Sequence, residues 1–419
     1  MKARIATWLG LTELPPDVRH NFAMDSLSAV AVGAFVGLAH PFISVIAVRM
    51  GAGSMLIGLI SASWVMGMLL SSFWAHLAEG RPKLPFNVWP TIFARSLLLF
   101  ALIVRTPLTY TLMILAYNFT AAVPGPAYTA LIQKIYPARQ RGRLMGYVRL
   151  FMGLVFAVMS PLGGRILDRY GFRPLFAVAV VFGVASSLVF AMIREPPEGA
   201  ESVPERRRFS VGELWDIIAK DHVFAWYLVG FTVFGFGNLL LGPAYPIFQV
   251  KVLGLTNLQI ALLPLSWSLV WLATYPLWGV VADRSRPGTA ILAGVALYGV
   301  APVIYLLSRN LTPLLFASMA IGAADAAMDI GWLAQVMKMG KNRVATYAGI
   351  HQTALGIRGT VAPLLGAALI PSYGVKTVLF AGAVLILTGL LPLSWAGKTE
   401  ARAGGKMSDN SPAGFDLAR

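Results

Sequence analysis

The sequence contains no cysteine and few charged residues. None of its 419 residues is Cys, and only 12% are Asp, Glu, Lys or Arg, roughly half the share found in soluble domains. The absence of cysteine excludes disulfide bonds, a thiolate nucleophile and metal sites with Cys ligands. The lack of charge excludes an intrinsically disordered chain, because disorder needs low hydrophobicity and high charge density.

Apolar residues take up the composition instead. They make up 57% of the chain, more than a soluble fold of this length can bury, so a soluble enzyme of two or three domains is also excluded. The apolar stretches run for about twenty residues, the length of a membrane-spanning helix. The strands of a membrane barrel are alternating segments of about ten residues, which fit poorly. The sequence therefore predicts an all-α polytopic membrane protein.

The apolar stretches predict twelve transmembrane helices, called spans one to twelve in chain order. They lie at residues 22–48, 55–77, 88–106, 109–134, 143–165, 174–193, 223–248, 257–282, 287–308, 312–338, 345–370 and 375–396. The long break at 195–222 is predicted to be a cytoplasmic linker that ends in an amphipathic surface helix. It separates a six-helix bundle at 22–194 from a second one at 223–396, with an N-terminal arm at 1–21 and a polar tail at 397–419.

The basic residues are distributed unequally between the two sets of loops. An even number of spans places both termini on one side of the membrane, and the loops of that side carry roughly three times as many Lys and Arg residues as the opposite loops. Such an excess is typical of cytoplasmic loops, so both termini are predicted to lie in the cytoplasm at the plasma or inner membrane. The net charge of +16 is accordingly attributed to topology in a lipid bilayer, and no nucleic-acid partner is predicted.

The two halves of the chain resemble each other. Segment 74–79, Trp-Ala-His-Leu-Ala-Glu, parallels segment 278–283, Trp-Gly-Val-Val-Ala-Asp, and the Tyr-Gly pair at 170–171 parallels the pair at 373–374. Repeats with an even number of spans have the same topology. They predict a pseudo-two-fold axis along the membrane normal, with the substrate site between the halves near the midplane.

With these features the chain resembles the major facilitator superfamily, whose fold consists of two pseudo-symmetric six-helix bundles. The sharpest motif is Gly-Val-Val-Ala-Asp283-Arg284-Ser-Arg after span eight, which is similar to the family's acidic-basic loop. The N-terminal copy, with Glu79 and Arg81, departs from the motif in having Ala for Gly and Glu for Asp. The resemblance implies that these four residues form a cytoplasmic gate that latches the outward-open state. Alternatively they are only helix caps and topogenic charges. The motifs identify no subfamily.

Span ten contains two carboxylates, Asp325 and Asp329, whose i,i+4 spacing places them on one helix face. Ionisable residues inside a membrane are costly unless they face protein or water, and they mark candidate functional sites. Two neighbouring carboxyl groups in a low dielectric should not both stay ionised, so one is expected to bind and release a proton.

Span eleven adds His351, Gln352 and Arg358 to the predicted substrate and proton-coupling site. By residue count Asp325 and Arg358 both lie at the midplane, so an ion pair between them is allowed if the two helix faces meet. Such a pair would control the protonation of Asp325. Alternatively a permanent pair would only fix the packing of the two helices.

Further polar and aromatic residues within spans are predicted to line the central cavity. For the two arginines among them structural pairing is an equal alternative, for the histidine packing is the alternative, and Tyr and Trp also occur in interfacial belts. The candidates are His40, Arg95, Asn118, Arg149, Asn238, Tyr245 and Trp332.

These features predict a secondary active transporter that moves a small organic solute by alternating access, with proton coupling and with export favoured over uptake. No Gly-x4-Gly-Lys-[Ser/Thr] loop occurs, which argues against direct use of ATP. The protein is expected to be a monomer without cofactor or metal. One alternative is a membrane-embedded enzyme that uses Asp325 and Asp329 to bind Mg²⁺ for diphosphate chemistry, although such a site should need further carboxylates. Another is a transporter-like protein that does not transport.

Overall fold

The computed structural model describes residues 14–196, 211–284, 287–340 and 343–409. Within these residues the chain is helical and contains no β-strand, which confirms the all-α prediction. Ten helices are long and apolar enough to cross a membrane, and two further spans, two and four, are each divided into two shorter helices. The twelve-span architecture predicted from the apolar stretches is therefore present.

The helices have the following bounds. In the N-terminal half, spans one to six are Pro16–Ala39 with Ile43–Arg49, Ser54–Leu69 with Ser71–Ala78, Lys83–Leu97, Pro107–Ala121 with Gly125–Ile135, Ala138–Tyr170 and Phe172–Phe190. The linker helix is Val211–Lys220. In the C-terminal half, spans seven to twelve are His222–Leu240 with Ala244–Ile247, Asn257–Arg284, Pro287–Leu307, Leu311–Gly340, Val344–Tyr373 and Val375–Thr388 with Leu390–Asp409.

Two spans are interrupted where the sequence has proline. Span four stops at Ala121 and resumes at Gly125, beside Pro124, and span seven stops at Leu240 and resumes at Ala244, after Pro243. Proline lacks the backbone N–H that a helix interior needs, so the hydrogen-bond ladder breaks there. Neighbouring helices allow such breaks to persist inside a membrane bundle.

The internal repeat is visible in the backbone. Gly171 follows span five with φ +81°, and Gly374 follows span eleven with φ +82°. The two glycines belong to the paired Tyr-Gly segments of the sequence. No atom lies within 4 Å of a Cβ added at either position, so the left-handed backbone, and not a lack of space, requires glycine.

This geometry predicts opposite effects for two glycine substitutions at span five. Gly171→Ala should lower the stability by about 1–2 kcal/mol, because an L side chain disfavours positive φ. Gly146→Ala, in a helical position with open space around it, should leave the stability unchanged or raise it by up to about 1 kcal/mol. Thermal unfolding of the purified variants in detergent measures both, and equal melting temperatures would contradict the prediction.

Each half has its own hydrophobic core, and the halves meet along a seam. The main contacts across the seam join span two to span eleven and span five to span eight. We call the membrane side on which both ends of the described chain lie the terminal face, and the opposite side the far face. Near the far face the packing is tight: a Cβ added at Gly164 of span five would lie 2.8 Å from the Asn257 carbonyl oxygen of span eight.

Toward the terminal face the same two spans separate. Gly142 and Gly146 of span five and Gly279 of span eight have no other atom within 4 Å of an added Cβ. Spans five and eight are therefore in close contact near the far face and have open space at these three glycines toward the terminal face. Two helix bundles joined along such a seam can rock against each other with little repacking inside either half.

The linker helix Val211–Lys220 leads directly into span seven. Asp221 caps that span, because its Oδ1 accepts the Phe224 N–H at 2.9 Å. Its Oδ2 accepts the Tyr347 hydroxyl of span eleven at 2.9 Å. Asp221 thus ties the junction of linker and span seven to span eleven at the terminal face.

Candidate functional site

Asp325 and Asp329 lie beside two tryptophans of span eight. Trp267 Nε1 donates to Asp325 at 2.6 Å, and Trp271 Nε1 donates to Asp329 at 3.4 Å. In both pairs the two residues are 58 positions apart in the chain. A step of one helical turn along span eight is therefore matched by a step of one turn along span ten. The two indole rings stack with their centroids 6.0 Å apart. We call these four residues the Trp–Asp ladder.

The two carboxylates of the ladder differ in their surroundings. Asp325 is half-buried and accepts a second hydrogen bond, from the Tyr298 hydroxyl. Asp329 is exposed, and the 3.4 Å contact with Trp271 is its hydrogen bond in the described structure. Asp325 is therefore held inside the C-terminal half, whereas Asp329 is exposed next to Trp271, which lines the interface with the N-terminal half.

Arg358 lies apart from both carboxylates. It is 5% exposed, donates to the backbone carbonyl oxygen of Phe231 on span seven, and its guanidinium carbon lies 4.8 Å from the centroid of the Phe231 ring. The ion pair with Asp325 that the sequence allows is not formed in this structure. The reason is the rotation of span eleven, which directs Arg358 toward span seven while Asp325 faces spans eight and nine.

His351 and Gln352 are adjacent in sequence but face different surroundings. The His351 ring is buried in the C-terminal half, with its centroid 4.3 Å from that of Phe231 and 4.9 Å from that of Trp332. Gln352 is exposed and lines a cavity of about 510 Å³ between spans two and eleven. The five residues of the predicted coupling site thus form three groups: the two carboxylates, the buried Arg358 and His351, and the seam residue Gln352.

The buried group around Phe231 contains several unsatisfied polar atoms. Arg358 Nε, His351 Nδ1, Trp332 Nε1 and the Tyr227 hydroxyl have no hydrogen-bond partner in the described structure. Burying such atoms without partners is costly.

The N-terminal half presents a second polar cluster. His40 Nε2 lies 2.9 Å from the Tyr117 hydroxyl, and Arg95 donates to the Ser187 hydroxyl at 2.9 Å and to the Ser186 hydroxyl. The residues line a cavity of about 430 Å³ within this half. Hydroxyl and carbonyl groups of span six accept the hydrogen bonds of Arg95, so these contacts are structural. The Arg95 side chain also lines the cavity.

The remaining predicted cavity residues of spans four and seven pack inside the halves. Asn118 is buried and donates to the Ser63 hydroxyl at 2.6 Å. Tyr245 packs against Tyr305 with the ring centroids 4.6 Å apart, and Asn238 is half-buried on span seven. None of these three residues is part of the lining of the cavity within the N-terminal half, of the cavity between spans two and eleven, or of the cavity bounded by spans one, five and eight.

A cavity of about 450 Å³, called the seam cavity, lies between spans one and five of one half and span eight of the other. Its walls include His40 and Arg149 from the N-terminal half and both tryptophans of the Trp–Asp ladder. Arg149 is exposed, makes no hydrogen bond or ion pair within the described chain, and interacts electrostatically with Asp329 of the opposite half. The structure thus brings Arg149 to the carboxylate site, a juxtaposition that sequence reasoning missed.

Sequence reasoning also missed a cluster that closes the far face. Asp168 at the end of span five accepts the Asn257 N–H at 3.0 Å, the Asn257 side-chain amide at 2.7 Å and the Leu258 N–H at 2.9 Å. Arg49 at the end of span one donates to Asn257 Oδ1 at 2.8 Å and to the Leu255 carbonyl oxygen at 2.6 Å. We call these residues the far-face latch.

The far-face latch has an electrostatic basis. Asp168 places a carboxylate at the N-terminus of span eight, where the helix dipole and the free backbone N–H groups favour negative charge. The sequence cannot show that the partners of Asp168 lie 89 and 90 residues away in the other half.

The predicted gate residues lie at the terminal face. Glu79 contacts His76, with 3.2 Å between Oε2 and Nδ1, and Arg81 and Arg284 are exposed. The side chain of Asp283 lies outside the described residues.

Comparisons with known proteins agree with this architecture. A sequence profile of the Major Facilitator Superfamily matches residues 26–312 and 240–412. The chain belongs to the major facilitator superfamily. As a member of the major facilitator superfamily it is a multi-pass membrane transporter and not an enzyme, so the Mg²⁺-dependent alternative is wrong.

Curated relatives in the superfamily are distant. The multidrug resistance protein MdtG of Salmonella arizonae is 24% identical over 412 residues, covering 92% of this chain and 96% of the relative. The human MFS-type transporter SLC18B1 is 24% identical over 336 residues, covering 74% of this chain and 69% of the relative.

Solved structures of the superfamily share the fold. A bacterial homologue of the human lysosomal transporter Spinster, in an inward-facing and unoccupied conformation, superposes with a TM-score of 0.66 at 15% identity and covers 92% of this chain and 97% of its own. The nucleoside transporter NupG superposes with a TM-score of 0.72 at 12% identity and covers 90% of this chain and 99% of its own.

Proposed function

We propose that the protein is a proton-coupled exporter of a small organic solute that works by alternating access, as a monomer, with both termini in the cytoplasm. The observation that carries this proposal is the Trp–Asp ladder, which holds two carboxyl groups within the spans and leaves one of them exposed to the seam. In the membrane interior such groups are retained where they bind a substrate or a coupling ion.

The seam supports alternating access. The far-face latch joins the halves on one side, and we propose that the seam opens on the other, where Gly142, Gly146 and Gly279 have open space around them. In the proposed topology the open terminal face is cytoplasmic, so the structure represents a state that takes up solute from the cytoplasm. The gate residues Asp283, Arg284, Glu79 and Arg81 are proposed to close this face in the alternate state.

The ladder and Arg358 supply a route for proton coupling. In this state Asp325 has neutral hydrogen-bond donors and no cationic partner, while the Arg358 guanidinium lies on Phe231. A rearrangement that brings Arg358 toward span ten would favour the ionised form of Asp325 and release its proton. His351 and Trp332, packed beside Phe231, would have to repack in the same movement.

The direction of transport is proposed from the relatives. MdtG is named a multidrug resistance protein, which is consistent with removal of organic compounds from the cell. Export against a gradient needs an energy source, and an inward proton gradient at the cell membrane provides one without nucleotide binding.

Proteoliposomes with an imposed pH gradient test this proposal. A panel of cationic, anionic, zwitterionic and neutral organic solutes is offered, and the flux of each is measured with and without a protonophore. We expect at least one solute to move against its gradient only while the pH gradient persists. Flux that is equal with and without the pH gradient would overturn proton coupling. An absence of flux for every solute of the panel would overturn the proposal that the substrate is a small organic solute.

A further inference from the structure

The strongest unassigned feature is a pair of opposite charges at the seam: Arg149 lines the seam cavity, and Asp329 accepts a hydrogen bond from Trp271, which lines it too. Arg149 belongs to span five of the N-terminal half, and Asp329 belongs to span ten of the C-terminal half. Both side chains are exposed although both lie within spans. Their charges interact, but no ion pair joins them.

Neither charge is satisfied by the protein. Arg149 makes no hydrogen bond within the described chain, and Asp329 has only the 3.4 Å contact with Trp271. The other intramembrane charges near the seam differ, because Asp325 accepts from two side chains and Arg95 donates to span six. Charges left open inside a membrane bundle are expected to meet a partner during function.

We propose that Arg149 and Asp329 bind the two ends of a zwitterionic solute, with its carboxylate on Arg149 and its ammonium group on Asp329. This inference rests on the proposed transport function and names the substrate class for the same site. A monocation would pair with Asp329 but be repelled by Arg149. A monoanion would pair with Arg149 but be repelled by Asp329. A zwitterion neutralises both walls together.

The chemistry of the two walls fits these two groups. A guanidinium binds a carboxylate through two parallel hydrogen bonds. An ammonium group is attracted to a carboxylate and to the faces of tryptophan rings, and Trp267 and Trp271 line the same cavity. The orientation of the solute is thereby defined.

The seam cavity provides room for the body of such a solute. Its volume of about 450 Å³ lies within the range of small-molecule sites. Beside Arg149 and the two tryptophans it is lined by apolar side chains, including Met152, Phe156, Leu269 and Leu272. A solute with an apolar or aromatic body between its charges would bury that body here. Because its two ends bind different halves, its binding would also draw the halves together.

Three forms of one compound separate the charge classes. Phenylalanine is a zwitterion, its methyl ester is a cation, and N-acetylphenylalanine is an anion. Calorimetric titration of the purified full-length protein in detergent measures the affinity for each. We expect phenylalanine to bind about tenfold or more tightly than either derivative, because each derivative loses one charge-assisted contact.

Two substitutions test the assignment of the ends. Arg149→Gln should abolish the preference for phenylalanine over the methyl ester, and Asp329→Asn should abolish its preference over N-acetylphenylalanine. Arg169→Gln, at an exposed position near the far end of the same span, and Asp216→Asn, at an exposed position of the linker helix, are matched controls that should retain both preferences. Elution as a single monodisperse species shows that each variant is folded.

The results that overturn this inference differ from those that overturn the transport proposal. Tighter binding of the ester or of the acetyl derivative would replace the zwitterion with a cation or an anion. If none of the three binds while another solute shows gradient-dependent flux, the inference fails and the transport function stands. The double variant Arg149→Asp with Asp329→Arg exchanges the two charges. If it shows gradient-dependent flux of other solutes and no preference for the zwitterion, the two residues form only a gate, and the inference again fails.

Discussion

Asp325→Asn is expected to abolish transport against a gradient while leaving exchange of solute across the membrane intact. Asn has the size of Asp, and its amide oxygen can accept from Trp267 while its NH2 group donates to the Tyr298 hydroxyl, but it cannot bind and release a proton. A coupled carrier that has lost its proton site can still rock between its two states when it is loaded with solute. We expect pH-driven accumulation to fall by about a hundredfold or more, whereas counterflow without a pH gradient falls by less than about threefold.

The measurement uses the same proteoliposomes for both assays. Asp216→Asn removes an exposed carboxylate that pairs with Lys220, and it should change neither assay. Asp329→Asn should reduce accumulation less than Asp325→Asn if Asp325 is the carboxyl that carries the proton. Accumulation by the Asp325→Asn variant at wild-type level would remove Asp325 from the coupling mechanism.

Asp168→Ala is expected to open the far face. The substitution removes three hydrogen bonds that join the N-terminal half to the start of span eight. Bonds to a charged group contribute about 1.5–3 kcal/mol each, so their joint loss should shift the equilibrium between the two states by about a hundredfold or more. Conformers that are rare in the wild-type protein should become readily detectable.

The absence of native cysteine makes this shift easy to measure. Ala261 is fully buried at the seam beside Ser160, so a cysteine introduced by Ala261→Cys reports on opening of the far face. Its rate of maleimide labelling should rise strongly when Asp168→Ala is added. Asp17→Ala, which removes an exposed ion pair with Arg194, is the control that should not raise it. Unchanged labelling in the Asp168→Ala background would show that the latch does not hold the far face closed.

The general architecture could be predicted from the sequence because it depends on composition and length. A helix that spans a bilayer must satisfy its own backbone hydrogen bonds, so apolar stretches of about twenty residues have one structural solution. The interruptions of spans four and seven also have a local cause, because proline cannot supply the backbone N–H that a helix interior needs. The division of span two between Leu69 and Ser71 has no such local signal and was not predicted.

The candidate site was predicted only in part. The cost of burying charge identifies Asp325, Asp329 and Arg358 as informative residues wherever they point. Whether they meet depends on how far each helix is rotated about its axis, and neither hydropathy nor spacing determines that rotation. The structure directs Arg358 to Phe231 and brings Arg149 near Asp329, whereas the sequence allowed an ion pair between Asp325 and Arg358 if their helix faces met.

The sequence by itself determined that this protein is a helical membrane transporter with two related halves, because hydrophobic length, the distribution of positive charge and the repeat are properties of the linear chain. Only the tertiary structure decided which charges share a wall, which side of the seam is closed and that Asp168 and Arg49 close it. Those outcomes depend on contacts between helices that are far apart in the chain, and many different pairings of the same spans would bury the same apolar surface.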